Sequence, residues 1–258
     1  MKFIIKCTIG FTVVMVVVLL ISYMNAVLKL GITETDFQEF ITFSLVIGFL
    51  IYLYPGLSTP FKNSFLKTKE LHIIVCIPIL TSLIKLIIVY LYLYIPVFFG
   101  EERMSVGKGQ YIREDQELST LGEILLLSIS GPFNEEFLFR FLLLFLIPYS
   151  ILNSFSYMSI DKENGLFNRI KLMGERLNKK IFVERNNTIV AIWLFITSSI
   201  FSLMHLPDIY SFFIYFIGGM LYGFLFIKYG FLLAWIAHGI SNGFSPIVNS
   251  IYTSIFGS

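Results

Sequence analysis

Charge is what this chain has least of. Only 14% of its 258 residues are Asp, Glu, Lys or Arg, whereas soluble globular chains carry about 25%. Cysteine is almost absent: Cys7 and Cys76 lie in separate apolar runs with no metal or redox motif around them. That pattern excludes a disulfide scaffold and specifies no redox compartment. Histidine occurs three times, and no His-Glu-x-x-His pair is present. There is no internal repeat and no low-complexity tract. What remains is 56% hydrophobic and 17% aromatic, with a mean hydropathy of +0.80. Such a chain reads as an all-α, polytopic transmembrane helix bundle of about seven spans, within a range of six to eight. Its expected partner is the lipid bilayer, and no nucleic acid is expected.

The apolar runs place the spans. Met1–Asn25 begins with Lys2 and Lys6 and then runs apolar past Ile21. It is too long for a signal-peptide core, and Tyr23-Met24-Asn25-Ala26 is a poor cleavage site, so a retained first span is expected. Gln38–Pro55 and Leu71–Gly100 form the second and third spans, joined by the polar Gly56–Glu70. Thr120–Tyr149 is the fourth, too long for a straight crossing, and Gly131-Pro132 predicts a kink in it. Thr188–His205, Ile209–Ile227 and Phe231–Phe256 complete the set. A boundary near residue 119 separates an N-terminal group of three spans, 1–119, from a more motif-rich part, 120–258. The polar loop 150–187 contains Leu166, Phe167, Ile170, Met173, Leu177 and Ile181 at helical spacing. Arg169, Lys171, Arg176, Lys179 and Lys180 fall mostly between them. The pattern fits an amphipathic basic helix on an anionic membrane face; a soluble helix packed on the bundle has the same periodicity.

The basic residues orient the spans. With the N-terminus cytoplasmic, the inner segments carry thirteen Lys/Arg and the outer segments four, with Lys85 and Arg140 intramembrane. This is a clear positive-inside bias. An integral membrane protein, placed in the plasma membrane with a cytoplasmic N-terminus, is the expectation.

Against this apolar background one stretch stands out, Gly131-Pro-Phe-Asn-Glu135-Glu136-Phe-Leu-Phe-Arg140. A charge at the bilayer centre costs roughly 2.5–3.5 kcal/mol. Glu136 and Arg140 are i and i+4 and can neutralise each other on one helix face. Glu135 is rotated about 100° away and stays free of that pair. A purely structural clip, with Glu135 a second acceptor for Arg140, is the alternative. Lys85, in the third span, is either functional or snorkels from near one end.

His72 sits at a span boundary and reads as interfacial. His205 closes the fifth span in Phe201-Ser-Leu-Met-His205, with Phe201 on the same face; His238 and Asn242 share a face of the seventh. Polar groups on three spans should converge on one interior cavity. No serine, cysteine or aspartate is placed as a nucleophile. A free carboxylate beside an imidazole can instead activate water as a general base. A His and an Asn amide can donate to a developing oxyanion. Zinc held by Glu135, His205 and His238 is the lesser alternative; no metal and no cofactor is the main expectation.

The ordered trio Glu135-Glu136-x-x-x-Arg140, Phe201-x-x-x-His205 and His238-x-x-x-Asn242 resembles the CAAX protease and bacteriocin-processing family of intramembrane endopeptidases. The resemblance covers roughly Thr120–Phe256, and the first three spans match only in being hydrophobic. It implies a catalytic core at 120–258 in which Glu135 and His205 activate water. His238 and Asn242 would form the oxyanion site, with Glu136, Arg140 and Phe201 in support. The substrate implied is a membrane-associated peptide or protein. Phe141 departs from the family's usual glycine after the motif arginine. A second function class is a non-proteolytic membrane protein, in bacteriocin immunity, peptide binding or proton-coupled transport, that uses the same polar cluster. The absence of an inverted repeat argues against a transporter.

Overall fold

The computed structural model describes residues 2–104, 119–154, 165–184 and 186–256. Regular structure among these residues is entirely helical. Seven helices are long and apolar enough to cross a membrane, which makes the chain an integral membrane protein. They are α1 (Lys2–Leu28), α2 (Glu34–Leu53), α4 (Leu71–Phe99), α5 (Thr120–Ser154), α7 (Asn187–Met204), α8 (Ile209–Tyr229) and α9 (Phe231–Phe256). Two shorter helices lie between them, α3 (Pro55–Phe65) and α6 (Gly165–Asn178).

The boundaries follow local chemistry. α2 starts four residues before the expected Gln38, because Thr33 and Asp36 form a capping box that satisfies the first free N–H groups. The polar Gly56–Glu70 connection contains most of a short helix. Pro55 opens it at the position where a missing N–H costs nothing, and Phe61 anchors it in the core. The Phe61 ring lies edge-on to Phe141 and Phe231 at 5.1 Å each. Phe141, where the family's glycine would stand, is thus fully buried in an aromatic cluster that α3 closes. α6 forms where the apolar spacing predicts a helix, and the side chains of 165–170 lie outside the described residues. Leu172, Met173 and Arg176 on it are exposed.

The bend expected at Gly131-Pro132 takes the form of wide, π-type turns over Ile124–Ser130 and again over Glu136–Leu146. Such turns mark an extra residue in the hydrogen-bond ladder and recur at functional sites. Three of their carbonyls take side-chain donors from neighbouring helices. Asn242 Nδ2 donates to Leu127 O at 3.1 Å and Trp235 Nε1 to Ile129 O at 2.8 Å, both from α9. Trp193 Nε1 of α7 donates to Leu144 O at 3.0 Å. Both tryptophans of the chain are used this way. Between Trp235 and Asn242, Gly239 lies flush on Ser128 O, and a Cβ at that position would collide with it. On the other side of α5, Asn134 holds α2: its Nδ2 donates to Phe40 O at 3.0 Å and its Oδ1 accepts from Ser44 Oγ at 2.7 Å.

α7 and α8 form a tight hairpin. Gly219 packs on Ser198, where a Cβ would approach to 2.9 Å, the close contact that small residues allow. Asp208 caps α8 by accepting the Ser211 N–H at 2.7 Å. The turn puts Leu206 at φ +46°, a left-handed conformation that a side chain disfavours and a following proline disfavours further.

Candidate active site

Each site residue expected from the sequence lines, or directly supports, one cavity of about 250 Å³. Glu135, Phe201, His205, His238 and Asn242 all face it. Depth along the helices would set His205 near the end of α7 and His238 some way into α9. Both rings line the same cavity. Leu206 and Ile209, both apolar, are 71% and 73% exposed in the turn after His205.

Glu135 stands at the centre. Its Oε2 is 3.6 Å from His205 Nε2 and 3.8 Å from His238 Nε2. Both distances are too long for direct hydrogen bonds and short enough for one water to bridge. The other nitrogen of each ring is already committed. His205 Nδ1 lies 2.8 Å from Phe201 O; a carbonyl only accepts, so Nδ1 carries the proton and Nε2 presents a lone pair to the cavity. This assigns the Phe201-x-x-x-His205 spacing a physical role, because a carbonyl four residues back is within reach of the ring. His238 Nδ1 lies 3.0 Å from Glu136 Oε1, which leaves its Nε2 toward Glu135. Asn242 has committed one amide N–H to Leu127 O and retains a second.

Glu136 and Arg140 lie beneath the cavity, 0% and 1% exposed. Their closest approach is 3.4 Å, between Glu136 Oε2 and Arg140 Nε, without hydrogen-bond geometry at either atom. The guanidinium instead lies over the Phe201 ring, 4.5 Å from its centroid, a cation–π contact. The expected i,i+4 pair is therefore present, with two additions: Glu136 orients His238, and Phe201 covers Arg140.

Two further residues escaped the sequence reading. Tyr215 stacks on His205 at 4.2 Å and Tyr222 on His238 at 4.6 Å. They are seven residues apart on α8, which puts them on one helix face, among many other aromatic residues of that span. Lys85 also lines the cavity, from α4, which favours the functional reading of that lysine over snorkelling. His72 is outside the site and pairs with Glu70 at 3.2 Å on the surface. Among the described residues no group of three His, Cys, Asp or Glu side chains has a geometry that would hold a metal ion.

Of three comparisons with known proteins, one found a match. Residues 117–244 match the family model described as type II CAAX prenyl endopeptidase Rce1-like, a stretch that contains Glu135, Glu136, Arg140, Phe201, His205, His238 and Asn242. The match supports an enzyme of the CAAX-protease type. Searches of curated proteins and of solved structures found no match. The family resemblance carried by the three ordered motifs is thus matched by a family model over residues 117–244, just under half of the chain's length.

Proposed function

We propose that the protein is an intramembrane endopeptidase that hydrolyses a peptide bond of a membrane-associated peptide or protein without a covalent intermediate. The observation that carries this reading is the convergence of Glu135 Oε2 with two imidazole Nε2 atoms inside 4 Å. A water donating one hydrogen bond to Glu135 and one to His205 Nε2 keeps a lone pair free for attack. Glu135 takes a proton as the water oxygen bonds to the scissile carbonyl carbon. The carbonyl oxygen becomes an oxyanion, which accepts from the second Asn242 N–H and from His238 Nε2–H. Donation from Nε2 requires the ring to carry both protons, with Nδ1–H held by Glu136. As the tetrahedral species collapses, the C–N bond breaks and the proton on Glu135 passes to the leaving amine.

The mechanism uses no metal. This reading is supported by the finding that, among the described residues, no group of three His, Cys, Asp or Glu side chains is arranged to hold a metal ion. The positive-inside bias supports a cytoplasmic N-terminus, and the plasma membrane is the proposed location. The test is turnover by purified protein. Wild type should cleave a prenyl-cysteine peptide or a peptide recovered by comparative membrane proteomics. Glu135→Ala should lose at least about a hundredfold, the lower end of general-base contributions. Wild-type-like cleavage by folded Glu135→Ala would refute the mechanism.

A further inference from the structure

The proposed hydrolysis leaves one intramembrane cation without a task. Arg140 has Glu136 and the Phe201 ring. Lys85 has no hydrogen-bond or ion-pair partner among the described residues, although it acts on Glu135 through space. Its ammonium has three donors, and leaving them unmet inside a membrane protein is costly.

Lys85 sits between two cavities. One is the 250 Å³ site that holds Glu135. The other, of about 1180 Å³, opens between the C-terminal halves of α4 and α9. Lys85, Ile214 and Tyr215 line both and so form the throat between them. The larger cavity exceeds the ~300–1,000 Å³ of small-molecule sites. Its walls carry hydroxyl and amide groups, among them Tyr94, Ser245, Asn249 and Thr253, which can meet an extended backbone. Its other cation, Arg103, is at the mouth and donates to Asn249 at 3.1 Å. Lys85 is the cation at the floor, next to the reacting groups.

We propose that the larger cavity receives the peptide chain and that Lys85 binds a substrate carboxylate at the throat, setting which bond reaches Glu135. The carboxylate is either the chain's C-terminal group or an acidic side chain near the cut. This assignment rests on the peptidase reading, and Lys85 is a specificity-determining residue in it. An ammonium meeting a carboxylate in a poorly solvated throat makes a charge-assisted hydrogen bond, whereas an amide in the same place leaves the ammonium uncompensated.

Binding separates this from catalysis. Three fluorescent prenyl-cysteine peptides of one apolar sequence serve as probes: a free C-terminal carboxylate, a C-terminal amide, and the amide with a glutamate beside the terminus. Affinities are measured on full-length Glu135→Ala protein in nanodiscs, with Lys85 intact, Lys85→Met or Lys85→Arg. A carboxylate form should bind about tenfold tighter than the plain amide with Lys85. The preference should vanish in Lys85→Met and persist in Lys85→Arg. Whether the first or the third peptide gains identifies the carboxylate's source. Equal affinity for all three, no binding of any, or a preference that survives Lys85→Met overturns the proposal; the first two outcomes need no Lys85 variant. Cleavage by wild type is assayed in parallel. Cleavage without discrimination removes the Lys85 assignment and leaves the peptidase, and discrimination without cleavage does the reverse.

Discussion

Glu136 and His238 lie 102 residues apart in the chain and meet at 3.0 Å, Oε1 to Nδ1. The same carboxylate's second oxygen faces Arg140 at 3.4 Å. One buried group thereby ties the charge balance of α5 to the orientation of a ring on α9.

Glu136→Ala should consequently fail in two ways. It strands a buried arginine, at roughly 3–5 kcal/mol, and releases His238 Nδ1. Glu136→Gln keeps an oxygen for Nδ1–H and loses only the charge, so it should retain the better-ordered site. The folded fraction in detergent, followed by thermal unfolding, distinguishes them. If Glu136→Ala folds as well as wild type, the buried-pair argument is wrong.

Phe201 supports the site through two separable parts, its ring and its carbonyl. Phe201→Leu deletes the ring over Arg140 and should cost about 0.5–2 kcal/mol of stability. The carbonyl stays to hold His205 Nδ1, so turnover per folded molecule should fall far less than in Glu135→Ala. A collapse of turnover equal to that variant's would show that the ring, and not the carbonyl, positions His205.

Leu206 is held left-handed before a proline at the end of α7. An L-residue there costs about 1–2 kcal/mol, and glycine returns part of that gain through its own entropy. Leu206→Gly should raise the unfolding midpoint, and Leu206→Val should lower it. An unfolding midpoint for Leu206→Gly below that of wild type would mean the exposed leucine contributes more through its lipid-facing surface than its backbone costs.

Chelation offers a further check. EDTA and phenanthroline should leave turnover unchanged, because among the described residues no group of three His, Cys, Asp or Glu side chains is arranged to hold a metal ion. Loss of activity restored by added zinc would instead assign Glu135, His205 and His238 as ligands.

The candidate site was legible because polar groups are costly in apolar spans. Glu135, His205, His238 and Asn242 were conspicuous for that reason, and helical spacing alone separated Glu135 from the Glu136–Arg140 pair. The aromatic contacts were not legible. Tyr215 and Tyr222 sit among many aromatic residues, and nothing in their spacing says which rings stack on histidines. The wide turns of α5 were hidden as well, since an i→i+5 ladder depends on what the neighbouring helices offer its carbonyls. Gly131-Pro132 marked the place of the disturbance but not its form. α3 reads in the sequence as part of a polar link, because Lys62 and its polar neighbours outweigh Phe61, whose value depends on Phe141 and Phe231 arriving from elsewhere in the chain.

The carbonyls of α5 that Asn242 and Trp235 satisfy bear on how the protein is made. The Asn242 amide is synthesised 115 residues after Leu127. During that interval α5 must enter the bilayer with widened turns short of their donors and with Glu135 lacking both histidines. Its internal Glu136–Arg140 pair reduces the charge it carries across at that stage. A nascent chain stopped after α8 would therefore present an incompletely satisfied span to the quality-control machinery of the membrane. Arrival of α9 is the biosynthetic step that makes the bundle self-sufficient, and the same step assembles the candidate site.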